Sequence, residues 1–203
     1  MKDIITYTNA KFGNMIAQVN MPMVISCNPD APCFKGCYCN KGNMNYKNIK
    51  KAHKDRYDLY KEDGKKFFEK INSELYFRPS RFFRWHSSGD IVDMDYLDGM
   101  CKVARKNRET QFLCFTKQYK IVNEYFDTHR KPKNLIICLS SWGSWIPENP
   151  HNFPTAWVQL GMETDELIPK DANICGGNCA ECINTSEHCW KMQKGESVAF
   201  HKH

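Results

Sequence analysis

The chain has 203 residues, of which 41% are hydrophobic and 26% are charged, and its formal net charge at pH 7 is +6. These values are ordinary for one globular domain with a substantial core, and no apolar run is long enough to span a membrane. The first residues lack the apolar stretch of a signal peptide, so we expect a cytoplasmic protein. Eleven cysteines in that reducing compartment indicate metal ligation rather than disulfides.

The beginning of the chain combines two strand candidates with a cysteine-rich loop. Residues 4–7 form an opening strand candidate, and the apolar run 21–25, which ends in Val24 and Ile25, predicts a short buried strand. The thiols that follow this run are Cys27, Cys33, Cys37 and Cys39. Prolines and a glycine between them prevent regular secondary structure, so a loop can wrap the thiolates around one point, as a metal ion or an iron–sulfur cluster requires.

Helices and strands alternate through the rest of the chain. Apolar residues at helical spacing predict one helix at 45–75, broken or kinked at Gly64, and another at 119–129. Between them Asp93 can cap a helix. The predicted inner face of that helix comprises Tyr96, Leu97, Met100, Cys101 and Ala104. Further strands are predicted at residues 81–86, 111–115, 134–139, 155–160 and 197–200.

Polar residues follow three of the predicted strands. They are Ser88, Gly89 and Asp90 after strand 81–86, Thr116 and Lys117 after strand 111–115, and Ser140 and Ser141 after strand 134–139. The alternating order predicts right-handed βαβ units and an α/β fold with a parallel sheet, in which chemistry gathers at the carboxyl ends of the strands. These residues are therefore pocket candidates as a set, although each group alone is more typical of a turn. His86 is interpreted as structural or as a support for the same site.

A second group of thiols lies near the C-terminus. Its members are Cys175, Cys179, Cys182 and Cys189. Gly176 and Gly177 let the backbone fold tightly there and offer N–H groups to sulfur. Four closely spaced thiols predict a ligand set for either zinc or a 4Fe–4S cluster. The remaining thiols, Cys101, Cys114 and Cys138, lie inside helix or strand patterns and are interpreted as small buried hydrophobic residues.

Two of these features together resemble the radical SAM superfamily, namely the thiol loop after the first strand and the Ser88-Gly89-Asp90 motif after the next one. The resemblance implies a partial (βα) barrel in which three thiolates leave one iron of a 4Fe–4S cluster open to S-adenosylmethionine (SAM). It implies that the Ser88-Gly89-Asp90 turn meets the SAM amino group, and that an electron from the cluster cleaves SAM to a 5′-deoxyadenosyl radical. The other lining residues would be Thr116, Lys117, Ser140 and Ser141.

A closer resemblance is to the gene-product-88-like proteins, a small family mostly of phages and mobile elements. The matching stretches are Ser26-Cys27-Asn28-Pro29 through Cys33 to Cys37-Tyr38, Arg84-Trp85-His86-Ser87-Ser88-Gly89-Asp90-Ile91, Phe115-Thr116-Lys117, Cys179-Ala180-Glu181-Cys182 and Cys189-Trp190. They span nearly the whole chain in the right order. This resemblance implies a class of cofactor and leaves the reaction and the substrate open.

The N-terminal loop departs from the common radical SAM spacing, C-x3-C-x2-C, because one residue separates Cys37 from Cys39. Two ligand assignments are open. Cys27, Cys33 and Cys37 fit the phage-type pattern C-x5-C-x3-C, whereas Cys33, Cys37 and Cys39 fit the common loop after one deletion. We prefer the first, because thiols separated by one residue would strain to reach two corners of one cluster. The C-terminal group, with its fourth thiol, is expected to hold a closed auxiliary cluster.

Three functional hypotheses are open. The first is a radical SAM-type iron–sulfur enzyme with a partial barrel at residues 1–165, a cysteine-rich cluster-binding segment at 166–203 and a reductant of ferredoxin or flavodoxin type. The second is a non-catalytic two-zinc protein that binds nucleic acid through its basic face, for which the positive charge is weak evidence because bound clusters would cancel part of it. The third is an iron–sulfur protein that does not cleave SAM and serves electron transfer or structure.

Overall fold

The structure, a computed structural model, describes residues 3–7 and 14–202, without the side chains of Lys35 and Tyr38. The described residues form an α/β fold with one seven-stranded, all-parallel sheet and six helices. The strands are β1 (Ile16–Val19), β2 (Phe82–Trp85), β3 (Gln111–Thr116), β4 (Leu135–Ser140), β5 (Thr155–Gln159), β6 (Asn173–Ile174) and β7 (Ser197–His201). The helices are α1 (Lys47–Glu62), α2 (Gly64–Phe77), α3 (Met94–Lys106), α4 (Tyr119–Thr128), α5 (Cys179–Thr185) and α6 (His188–Lys191).

The strand order in the sheet is β1-β2-β3-β4-β5-β7-β6, and every neighbouring pair is parallel. Parallel neighbours need a crossover connection, which α1 and α2 supply between β1 and β2, α3 between β2 and β3, and α4 between β3 and β4. Strand β7 pairs with both β5 and β6, so residues beyond 165 complete the same sheet. The division of the chain at residue 165 stays a prediction.

The two faces of the sheet have different partners. Along β2, Phe83 and Trp85 belong to the main core, which the helices share, whereas Phe82 belongs to a second cluster with Ile183 and Trp190 of the C-terminal segment. This alternation follows from the period of two along a strand. The first four helices therefore cover one face of the sheet, and the C-terminal segment lies against the other.

The first strand is not where the sequence predicts it. The prediction of a buried strand at 21–25 is wrong, because the strand is β1, whose four residues are all buried, and Val24 and Ile25 are exposed in a turn. Val24 has a φ of 74°, a conformation that β-branched residues rarely adopt. Met21 is buried in the main core, and its backbone N–H donates to the carbonyl of Ser88 (3.0 Å) in the loop after β2.

The predicted strand at 4–7 is also wrong. In the described part of the chain, Thr6 and Gln18 form an isolated antiparallel bridge, with N–O distances of 2.8 and 2.9 Å. Ile4 and Ile5 are buried in the main core, and their backbone N–H groups donate to the carboxylate of Glu74 on α2. For the backbone N–H groups of Ile4 and Ile5, the Glu74 carboxylate therefore replaces the acceptors that a neighbouring strand would provide.

The local signals for helices are confirmed. The predicted break at Gly64 separates α1 from α2, and the carboxylate of Asp63 caps α2 by accepting from the N–H of Lys66 at 2.9 Å. Asp93 caps α3 in the same way, through the N–H of Tyr96 at 2.9 Å. The predicted inner face of α3 is fully buried at Tyr96, Leu97, Met100, Cys101 and Ala104. Among the described residues, no helix combines the length and the apolar character that a membrane span requires.

Candidate functional site

A cavity of about 870 Å³ lies on the sheet face opposite the first four helices. Its walls include alternate residues of the central strands, such as Arg84, Leu113 and Phe115, together with the loops at the strand ends. Both groups of thiols also line it: Cys27, Cys33, Cys37, Cys39, Cys175, Cys179, Cys182 and Cys189. The volume lies within the range of small-molecule sites, so the structure joins two groups that are far apart in sequence into one candidate site.

The N-terminal thiols differ among themselves in environment. Cys27, Cys33 and Cys37 are half-buried, whereas Cys39 is only 2% exposed and its sulfur lies 3.7 Å from the carbonyl oxygen of Ser87. Burial, followed by the charge of Asp90, raises the pKa of Cys27 to about 12, and Cys37 and Cys33 add smaller contributions. A hydrogen bond from Cys39 is the main cause that lowers the pKa of Cys37 to about 6. Cys37 is therefore favoured as a thiolate and Cys39 as its hydrogen-bond donor.

Three of the four C-terminal thiols are carried by two short helices. Cys179 and Cys182 lie on α5, and Cys189 lies on α6. Burial raises the pKa of Cys189 to about 12, and neighbouring Cys175 is the next cause. The backbone N–H of Gly177 donates to the sulfur of Cys175 at 3.4 Å, which agrees with the predicted role of this glycine. The four thiols of this group thus lie near one another on the sheet.

The donor chemistry of each thiol group fits a metal ion or an iron–sulfur cluster, because each group places four thiols along one stretch of the cavity wall. Among the described residues, however, no three histidine, cysteine, aspartate or glutamate side chains converge closely enough to hold a metal ion. Occupancy by a metal or a cluster is therefore a proposal that rests on donor type and position.

Asp90 connects the loops that follow β2 and β3. Its carboxylate accepts hydrogen bonds from the Thr116 hydroxyl (2.6 Å) and from the backbone N–H groups of Lys117 and Ile91 (both 2.8 Å). Its own N–H donates to the hydroxyl of Ser26 at 3.0 Å. Burial raises the pKa of Asp90, and the three bonds to the carboxylate oppose that shift. A direct contact of Asp90 with SAM stays a prediction, and the structure adds a positioning role for it.

Gly89 lies where two backbones approach each other closely. It has a φ of 77°, and a Cβ there would come within 2.7 Å of the Met21 carbonyl oxygen. The neighbouring turn is held by Asn20, whose side-chain oxygen accepts from the N–H groups of Ser87 (2.7 Å) and Ser88 (3.2 Å). Sequence reasoning missed Asn20, because it placed the first strand too late. With β1 ending at Val19, Asn20 is the polar residue at that strand's carboxyl end.

The other strand-end candidates separate into two kinds. Thr116, Lys117 and Ser140 line the cavity, as Ser88, Gly89 and Asp90 do. Ser141 does not belong to the cavity wall, because it is fully buried and its hydroxyl donates to the carbonyl of Ala156 on β5 at 2.9 Å. The structure therefore brings together all the strand-end candidates except Ser141.

His86 combines burial with an unusual backbone. It is 3% exposed, has a φ of 57°, and its Nε2 lies 3.1 Å from the hydroxyl of Tyr96. Its Nδ1 lies 3.8 Å from the sulfur of Cys114. Burial, followed by the charge of Arg84, lowers the pKa of His86 to about 3. The imidazole is therefore neutral in the folded protein at any pH near neutrality.

We expect this histidine to make the protein less stable in mild acid. Between its unfolded pKa near 6.5 and its folded pKa near 3, the unfolded chain binds a proton that the folded protein does not, so the stability falls as the pH is lowered. The loss from His86 should be roughly 2–3 kcal/mol between pH 6.5 and 4.5, measured by urea unfolding at each pH. His86→Asn tolerates the left-handed backbone and should remove this contribution.

His201→Asn is the control for that experiment, because His201 is exposed and its replacement should leave the pH profile unchanged. Buried His53, whose pKa burial lowers to about 4, contributes in the same direction, so His86→Asn should flatten the profile without abolishing it. If His86→Asn and the unaltered protein have the same pH dependence, His86 does not carry this effect.

Comparison with known proteins yields one kind of match. A family model described as gene product 88 matches residues 3–191 of the 203. No curated protein and no solved structure shows a significant match to the chain.

Proposed function

We propose that this chain, which belongs to the gene product 88 family, is an iron–sulfur protein of radical SAM type that binds SAM at an open 4Fe–4S cluster. The observation that carries this proposal is the single cavity that both thiol groups and the strand-end loops share. In this proposal the open parallel sheet is a partial (βα) barrel, and the cavity is its interior.

The proposed ligands of the open cluster are Cys27, Cys33 and Cys37. This choice is supported by their half-buried position on the cavity wall, whereas Cys39 is buried and serves as a donor to Cys37. When bound, such a cluster supplies the electron for the reductive cleavage of SAM. The iron without a thiolate ligand would be left to the amino and carboxylate groups of SAM.

The residues around these thiols bind and orient in this proposal. Lys117 lies near the thiols, and its charge opposes the effect of burial on the pKa of Cys33. A lysine in that place suits the carboxylate of SAM or the negative charge of a thiolate centre. Asp90 keeps the loop of Lys117 against the Ser88-Gly89 turn, so the two sides of the binding site keep their spacing.

The C-terminal thiols form a closed auxiliary centre in the proposal, and that centre also stabilises the sheet. Trp190 follows Cys189 directly and packs on Phe82 of β2, with ring centroids 5.0 Å apart. A centre bound by the four thiols would connect α5 and α6 to this face of the sheet. Since metal binding energy becomes folding energy, the centre would hold the segment from residue 166 onward in place.

Anaerobic iron and sulfide analysis tests the proposal first. The protein should be brown and contain about eight iron and eight sulfide per chain, as two cubane clusters require. Cys33→Ala and Cys182→Ala should each lose about half of both, and Cys182→Ala should lower the melting temperature more. The control is Cys101→Ala, whose thiol is buried on the helix side of the sheet, and this variant should keep both clusters.

The alternatives predict different results in the same experiment. A colourless protein with about two zinc ions per chain would replace this proposal by the two-zinc hypothesis. Two clusters without SAM binding, or without release of 5′-deoxyadenosine after reduction, would leave an iron–sulfur protein that does not cleave SAM. A single metal ion with free thiols in the other group would contradict the division into two centres.

A further inference from the structure

Arg84 lies in the middle of β2 on the cavity side of the sheet. Its sequence neighbours Phe83 and Trp85 point into the main core, so strand alternation places Arg84 on the opposite face, where it lines the cavity. It is half-buried, and its register partner on β3 is Leu113. A permanently charged side chain therefore lies near the centre of a largely apolar sheet face, with the polar Gln18 as its register partner on β1.

The guanidinium of Arg84 is held in position by two contacts. It stacks on the ring of Phe115 at 4.1 Å, and that ring in turn packs edge-on against Phe200, with centroids 5.4 Å apart. Its Nε donates to the carbonyl of Trp85 at 3.2 Å. These contacts restrain the plane of the guanidinium and leave its two terminal amino groups as the donors that face other partners.

Arg84 lacks a counter-charge in the described part of the protein. None of the ion pairs among the described residues includes it. A partly buried cation without an anion is costly, and a restrained guanidinium is suited to bind two oxygens of one group.

We propose that Arg84 forms an oxyanion-binding subsite on the cavity floor, which takes a carboxylate or phosphate group attached to an apolar or aromatic body. The apolar body would lie against the neighbouring wall, which includes Leu113, Phe115, Val158 and Phe200. The ligand of this subsite would be the substrate of the proposed function, and that identification rests on the proposed function. Lys117, near the N-terminal thiols, is then left to SAM or to the thiolate centre.

The test uses two related fluorescent probes at equilibrium, without SAM or reductant. 8-Anilinonaphthalene-1-sulfonate carries an aromatic body with an oxyanion, and N-phenyl-1-naphthylamine is its uncharged counterpart. Arg84→Gln should weaken binding of the sulfonate roughly ten- to a hundredfold, the effect of losing a charge-assisted pair, and change binding of the uncharged probe less than about twofold. Arg84→Lys, which keeps the charge but not the two-pronged geometry, should fall between.

Arg78→Gln is the matched control, because Arg78 also stacks on an aromatic ring, that of Tyr7 at 3.9 Å, but is exposed and lies outside the cavity. It should bind both probes as the unaltered protein does. Benzoate and phenyl phosphate, used as competitors of the sulfonate, distinguish a carboxylate from a phosphate ligand. Either should displace the sulfonate from the unaltered protein at lower concentration than from Arg84→Gln.

Three results would overturn the subsite. They are unchanged sulfonate affinity in Arg84→Gln, equal loss of both probes, and loss of iron and sulfide from the C-terminal group, which would make Arg84 a counter-charge to the thiols. If Arg84→Gln does not fold, Phe115→Leu replaces it in the test, because this variant removes the stacking ring and keeps the charge. Phe115→Leu should weaken binding of the sulfonate severalfold. Unchanged sulfonate affinity in this variant would equally overturn the subsite. Because no step needs SAM, failure of SAM cleavage and failure of anion binding are separate outcomes.

Discussion

Gly89→Ala is expected to lower the free energy of unfolding by about 2–5 kcal/mol. Two costs add at this position. The left-handed backbone, with a φ of 77°, disfavours any side chain, and the new Cβ would lie 2.5 Å from the Ser26 hydroxyl and 2.7 Å from the Met21 carbonyl oxygen. The Ser26 hydroxyl can rotate away, but the main chain of Met21 cannot move without breaking its hydrogen bond to Ser88. Urea unfolding followed by tryptophan fluorescence measures the loss.

Gly161→Ala separates the two costs. Gly161 has nearly the same φ, 74°, but a Cβ there would meet no atom within 4 Å. This variant should therefore lose only the backbone contribution, about 1–2 kcal/mol. If the two variants lose equal stability, the loop at Met21 yields to the methyl group, and the close approach at Gly89 is not what requires a glycine.

Asp90→Asn is expected to cost about 2–4 kcal/mol of stability. Three donors meet the two oxygens of the buried carboxylate. In asparagine an NH₂ group replaces one of these oxygens. In one orientation of the amide the NH₂ group faces the Thr116 hydroxyl and the N–H of Ile91, and in the other it faces the N–H of Lys117. In either orientation a backbone N–H loses its acceptor. The loops after β2 and β3 should separate, which a thermal melt records as a lower melting temperature.

Asp93→Asn is the matched control, because Asp93 caps α3 at the surface and asparagine caps a helix as well as aspartate does. Its stability should change by less than about 1 kcal/mol. SAM titration of cluster-loaded Asp90→Asn then separates positioning from direct contact. Unchanged affinity with a lower melting temperature means that Asp90 holds the loops, whereas affinity weakened roughly ten- to a hundredfold in folded protein means that it also contacts SAM.

Most of the candidate site was accessible to sequence reasoning because strand ends and thiol spacings are local signals. In a parallel sheet all carboxyl ends meet at one edge, so the turn at Ser88-Gly89-Asp90 and the pair Thr116-Lys117 could be placed together without coordinates. Ser141 was assigned to the pocket by the same argument, but it turns toward Ala156 because consecutive strand residues face opposite sides. Arg84 was overlooked, although its place between two core aromatics on β2 carries the same period of two.

The sequence by itself determined the local features of this protein: the caps at Asp63 and Asp93, the buried face of α3, the alternation of helices with parallel strands, and two compact thiol groups. Each depends on neighbours within a few positions along the chain. Only the tertiary structure decided that β7 pairs with β5 and that the C-terminal thiols line the same cavity as the N-terminal ones. The reason is that pairing between residues this far apart along the chain depends on the packing of the whole sheet. It also decided where the first strand lies, because burial of β1 against β2 outweighs the stronger apolar character of residues 21–25.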